Sequence, residues 1–146
     1  TMCETYDGKV DTLNYKTIRY PGHCNLMRFL LYELIMKDQR ELIEKILTEA
    51  KPPVMQDVVY VYAIVEGWKG NHLEREEFFR AYHPITIDGQ HWRAISWTTA
   101  ASIAAVVELV ANGKLPNSGF IKQEDIALKD FLETQNGLFF NYTSSE

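Results

Sequence analysis

The spacing of apolar positions changes several times along this chain, and each change marks an element. Residues 13–20 read Leu-Asn-Tyr-Lys-Thr-Ile-Arg-Tyr and alternate as a strand does. Leu13, Tyr15, Thr17 and Arg19 fall on one face; Asn14, Lys16, Ile18 and Tyr20 fall on the other. Pro21-Gly22 closes this strand, since proline cannot donate to a ladder and glycine permits the turn. Leu26, Phe29, Leu30, Leu34 and Ile35 then recur at helical steps, predicting an amphipathic helix over 25–36. A second helix is expected over 39–50, with Leu42, Ile43, Ile46 and Leu47 on one face and a capping-box spacing from Asp38 to Glu41. Pro52-Pro53 stops it.

The next stretch, 57–68, is β-rich and almost continuously apolar, which predicts a strand covered on both faces. Lys69-Gly70-Asn71-His72 reads as a turn, and 74–82 as the returning strand, because Phe78, Phe79 and Tyr82 favour strands. Asp88-Gly89 is a two-residue hairpin signal between Thr86-Ile87 and a strand over 90–95. A helix over 97–110 carries Glu108 as its one charge, with Ser96 or Thr98 as candidate cap and Asn112-Gly113 as its stop. Apolar on every side, it should be buried on every side or else present an interface. A last helix is expected over 123–134, with Ile126 and Phe131 inward, before a frayed tail over 141–146. Strand, helices, strands, helices in that order indicate one α+β domain, its mixed, mostly antiparallel sheet covered by helices on one face.

Composition narrows the function classes. Hydrophobic residues are 46% of the 146 and charged ones 24%, ordinary for a globular protein. The net charge of −5, from 15 basic and 20 acidic residues, argues against a nucleic-acid partner, which needs a basic footprint. No run of about 18 apolar residues suggests a membrane span, and the start, Thr1-Met2-Cys3-Glu4-Thr5, is unlike a secretory signal. Cys3 and Cys24 lack a Cys-x-x-Cys spacing and read as free thiols, so the expected compartment is the cytoplasm. His23, His72, His83 and His91 are scattered without metal-ligand spacing, and no metal site is expected; His72 and His83 are placed in loops.

Generic catalytic motifs are missing: no Gly-x-Gly-x-x-Gly follows a strand, and there is neither a Gly-Lys-Ser/Thr loop nor a Gly-x-Ser-x-Gly elbow. One constellation carries chemistry. Arg19 ends the first strand, and Gly22-His23 leads straight into a helix, whose first N–H groups favour an anion. A guanidinium there can grip a carboxylate bidentately, and His23 adds a donor that titrates near neutrality. The alternative is structural, with Arg19 paired to an acid and His23 merely opening the helix. Lys16 and Tyr20 are proton carriers by residue type only, so no general acid or base is assigned and the catalytic residues are unknown.

The run Tyr15-Lys16-Thr17-Ile18-Arg19-Tyr20-Pro21-Gly22-His23 resembles the signature of saccharopine-dehydrogenase-like proteins, in which a strand introduces the first long helix of the catalytic domain. Ser96-Trp97-Thr98-Thr99-Ala100, the stretch Gly119-Phe120-Ile121-Lys122-Gln123-Glu124-Asp125-Ile126, and Phe131-Leu132-Glu133-Thr134-Gln135-Asn136-Gly137 resemble later family segments in the same order. The similarity spans about 11–140. It implies a carboxy-terminal substrate-binding and dimerisation domain, akin to that of glyceraldehyde-3-phosphate-dehydrogenase-like and saccharopine reductase enzymes. It implies substrate contacts from Thr17, Ile18, Arg19 and His23, a homodimer, and an amino-terminal Rossmann domain, outside these residues, that binds NAD(P). The implied reaction is oxidation at the CH–NH group of an amino acid in lysine metabolism. Lysine 6-dehydrogenase and carboxynorspermidine-synthase types share the pattern, as would a non-catalytic interaction domain. These residues alone are expected to be inactive and to bind no cofactor.

Overall fold

The fold is α+β, and its strands pair only antiparallel. The computed structural model describes residues 1–141; the frayed tail expected from 141 onward lies, beyond that first residue, outside the described residues. Where the sequence reads as one domain, contacts group the chain into two compact units, Thr1–Pro53 and Val54–Glu146.

The first unit is helical. A short α1, Met2–Thr5, is followed by a long irregular segment. The strand expected over 13–20 is absent: the segment is extended but joins no ladder, and Tyr15, Ile18 and Tyr20 are almost fully exposed. Alternation makes a strand possible, but a strand exists only when a neighbour takes its hydrogen bonds. Gly22, in the left-handed conformation at φ 85°, starts α2, His23–Arg28, which widens into a π-helical turn over Phe29–Glu33. That matches the helix expected over 25–36, shifted toward the amino terminus. Ile35 breaks it at φ 55°, an uncommon conformation for a β-branched residue. The helix α3, Arg40–Ala50, begins one residue later than expected. Its cap is Gln39 with no side-chain hydrogen bond, so the Asp38–Glu41 capping box does not form.

The second unit holds the sheets and the core. Strands β1, Val59–Lys69, and β2, His72–Tyr82, make an 11-residue antiparallel hairpin in which Val59 faces Tyr82 and Lys69 faces His72. The aromatic residues of 74–82 thus outweigh its helix-favouring glutamates. His72 opens β2 instead of lying in the loop. A second hairpin joins β3, Ile85–Ile87, to β4, Gln90–Trp92, across Asp88-Gly89, both with positive φ as a type I′ turn requires. The two hairpins are separate two-stranded sheets, not one mixed sheet with helices laid across it. β1 is correspondingly open on both faces along nearly its whole length, where burial on both was expected.

Helix α4, Ala94–Ala111, starts three residues before the expected position, cutting the strand over 90–95 short. Ala94, Trp97, Thr98, Ala101, Ala105 and Leu109 form its buried stripe at three- and four-residue steps. Its outer side is not buried: Ile103 and Val107 are 69% and 61% exposed. With 18 residues and a mean hydropathy of 1.6 it is long and apolar enough to cross a membrane, but a one-sided buried stripe is also what a core helix shows. The helix expected over 123–134 is broken. A single 3-10 turn, Gln123–Asp125, gives way to extended backbone at Ile126 and Ala127 before α5, Leu128–Leu132. A further 3-10 turn spans Gly137–Asn141.

The core is an aromatic cluster. Tyr82 and Trp97 meet edge to face at 5.6 Å, Tyr82 and Phe140 at 5.5 Å, and Phe131 lies 5.5 Å from Phe140. The Trp97 indole N–H donates to the His83 carbonyl at 2.8 Å, fixing the start of α4 against the chain leaving β2. Little else is buried. The accessible area is 12676 Å², whereas two compact bodies of these lengths would present about 9,000 Å² together.

Candidate functional site

The residues expected to bind substrate occupy the exposed surface of the first unit. Thr17, Ile18 and Arg19 lie on the extended segment, and His23 is the first residue of α2. All four are exposed. The turn between them is closed by the His23 N–H donating to the Tyr20 carbonyl at 3.1 Å, made possible by the left-handed Gly22. The segment therefore presents Arg19 and the helix start to solvent, within one short stretch of chain, without walls around them. Neither cavity described below includes any of the four.

Polar groups are organised most tightly in the second unit, around two carboxylates that carry no motif. Asp57 accepts from the N–H groups of both Ala94 and Ile95, at 2.6 and 2.9 Å. It thereby satisfies two of the free donors at the start of α4, where the helix's partial positive charge also favours an anion. Burial alone would raise the Asp57 carboxyl; the Ile95 and Ala94 N–H groups, with Arg93 nearby, outweigh it and hold the group below its ordinary 3.8. Ser96 and Thr98 do not cap this helix. Thr98 instead turns its hydroxyl back to donate to the Ala94 carbonyl at 2.7 Å.

Glu108 performs the matching task near the other end of α4. Its carboxylate accepts from the Gln135 N–H at 2.8 Å, the Asn136 N–H at 3.0 Å and the Asn136 side-chain amide. That side-chain bond, ahead of the backbone ones, holds its pKa below 4.5 against the opposing effect of burial. Thr134 accepts from the Gly137 N–H at 2.8 Å, and a Cβ at Gly137 would overlap the Phe131 carbonyl. The turn 134–137 is thus closed over Glu108. Lys114 joins the same end through Asp130 at 2.8 Å.

Sequence reasoning missed both carboxylates. Glu108 had a signal, being the single charge on an apolar helix. Asp57 had none, because its partner lies 37 residues away.

One apolar cavity of about 560 Å³ lies along α4. It runs between Ser102, Ile103 and Val106 and the later residues Ile121, Leu128 and Phe131. A second of about 390 Å³ lies on α3, lined by charged residues such as Glu41 and Lys45. Among the described residues no group of three His, Cys, Asp or Glu side chains gathers as a metal site would require. Neither a protein-family model, nor a curated protein, nor a solved structure matches this chain.

Proposed function

We propose that this chain is the substrate-binding part of an NAD(P)-dependent oxidoreductase of the saccharopine-dehydrogenase-like kind, acting on the CH–NH group of an amino acid. The observation that carries the reading is the run from Thr17 to His23, which resembles the family signature and lies on exposed chain turning at Gly22 into a helix. In this reading the Arg19 guanidinium holds a substrate carboxylate, His23 adds a second donor, and Thr17 and Ile18 line the adjoining wall. The large open surface supports it too, since a domain meant to close against another exposes the face that the partner covers.

The nicotinamide group would supply the hydride acceptor. This chain's own residues do not fit it: its glycines stand singly in hairpin turns and at helix ends, not in a glycine-rich loop between a strand and a helix. The cofactor is therefore assigned to a Rossmann domain outside these residues, and no step is routed through it. What this chain contributes is orientation of a charged substrate.

The test is calorimetry of the full-length protein with saccharopine, lysine and a carboxylated polyamine. Arg19→Ala should weaken the preferred carboxylate ligand by roughly 30- to 100-fold, the effect of one charge-assisted contact. Unchanged affinity for all three overturns the assignment of Arg19. Which ligand binds separates the saccharopine, lysine 6-dehydrogenase and carboxynorspermidine types. A gene without a strand followed by Gly-x-Gly-x-x-Gly ahead of this region removes the enzyme reading. It leaves a non-catalytic interaction domain, which the exposed apolar hairpin favours.

A further inference from the structure

The hairpin of β1 and β2 has two outer edges of opposite character. The β2 edge is heavily charged, with Glu74, Arg75, Glu76, Glu77 and Arg80. Charges of this kind keep a strand edge from recruiting another. The β1 edge has no such protection. From Val59 to Val65 it reads Val-Tyr-Val-Tyr-Ala-Ile-Val, with no charge, proline or glycine, and no strand among the described residues pairs with its free side. Tyr60, Tyr62, Val65 and Trp68 are each more than half exposed. An isolated two-stranded hairpin is marginal in water, and this one gains most from a further strand.

We propose that β1 pairs antiparallel with β1 of a second copy of this chain, across a two-fold axis at Tyr62. The partner must be an extended strand, because what the edge offers is a row of backbone donors and acceptors. Self-pairing follows from charge. A two-fold axis at Tyr62 sets Val59 against Val65, Tyr60 against Ile64 and Val61 against Ala63, so the whole uncharged run pairs with itself. Shifting the axis toward either end brings Glu66 or Asp57 deeper into the paired run, where the two copies double the acidic charge. The exposed β1 side chains offer on the order of 700 Å² per copy, close to the roughly 800 Å² per partner of a standard interface. Only part of that is covered by a side-by-side strand, which points to a reversible dimer with a Kd on the order of 10 μM. The result is a four-stranded sheet, β2-β1-β1-β2, with charged strands at both outer edges. The inference is independent of the oxidoreductase reading.

The experiment measures the oligomeric state of the whole chain by analytical ultracentrifugation from about 1 μM to 500 μM, a range spanning the expected Kd. Wild type should pass from monomer to dimer. Tyr62→Lys and Tyr62→Glu should each stay monomeric, because like charges then face each other across the axis, and an equimolar mixture of the two should recover the dimer. Glu76→Gln, on the β2 edge, should leave dimerisation unchanged. Hydrogen exchange on the unaltered chain gives a second readout that needs no variant: protection of amides 59–65 should rise with concentration more than that of 73–80. A wild type that stays monomeric throughout, a dimer indifferent to charge at residue 62, or exchange that ignores concentration each overturns the proposal.

Discussion

The segment from Thr17 to His23 and the bracket around α4 are opposites. The first carries the chain's most specific sequence pattern and almost no structure of its own, since its side chains stand in solvent. The second carries no recognisable motif and holds the core. Asp57 grips one end of α4, Glu108 ties the other to the turn at 134–137, and Trp97 fills the space beside Tyr82 and Phe140. Pattern and stability are therefore separate properties here. A residue kept for binding need not be held in place by its own unit, whereas a residue that holds a fold must be.

That contrast is sharpest for Trp97, 3% exposed and hydrogen-bonded through its ring nitrogen. Trp97→Ala should destabilise the second unit by about 3–5 kcal/mol, enough to abolish its near-ultraviolet circular dichroism at room temperature. Retention of a cooperative transition within 1 kcal/mol of wild type, to the nearest order about RT, would mean that the aromatic cluster is not the core.

A smaller loss is expected at Asp57. Asp57→Ala leaves two helix-start donors without their partner and should cost about 1–2 kcal/mol in urea denaturation. Acid should act in the same direction. The folded-state pKa values of Asp57 and Glu108 both lie below their ordinary 3.8 and 4.5. Their contribution is fully present above those ordinary values and is lost as pH falls through the lower folded ones. Wild-type stability should therefore decline on acidification below those values, with a shallower decline in Asp57→Ala. Parallel pH curves would show that the carboxylate does not cap α4 in solution.

The smallest effect belongs to the other side of the comparison. Arg19→Ala should change stability by less than about 0.5 kcal/mol, as an exposed position without internal partners does, while weakening carboxylate ligands of the full-length protein. A large stability loss there would show that Arg19 belongs to the scaffold and would remove the distinction between the two regions.

The local elements were largely legible. Apolar spacing located α3 and α4 to within a few residues, Asp88-Gly89 marked its hairpin, and the aromatic residues of β2 identified a strand despite its glutamates. The misplacements share one cause. A strand over 13–20, burial of β1 on both faces and burial of α4 on all sides each depend on a neighbour, and periodicity describes only the segment that carries it. The same holds for the sites. Arg19 and His23 could be chosen from sequence because a guanidinium, a glycine turn and a helix start are adjacent in the chain.

What the sequence by itself determined is the α+β class, the order of most elements, the hairpin turns and the one stretch with recognisable binding chemistry. These are local, set by side-chain spacing and backbone preference over a few residues. Tertiary structure alone decided that Asp57 caps a helix 37 residues away, that Glu108 closes a turn 27 residues on, and that β1 keeps an open edge. Hydrogen bonds and burial form between groups that meet in space, and separation along the chain does not report which groups will meet.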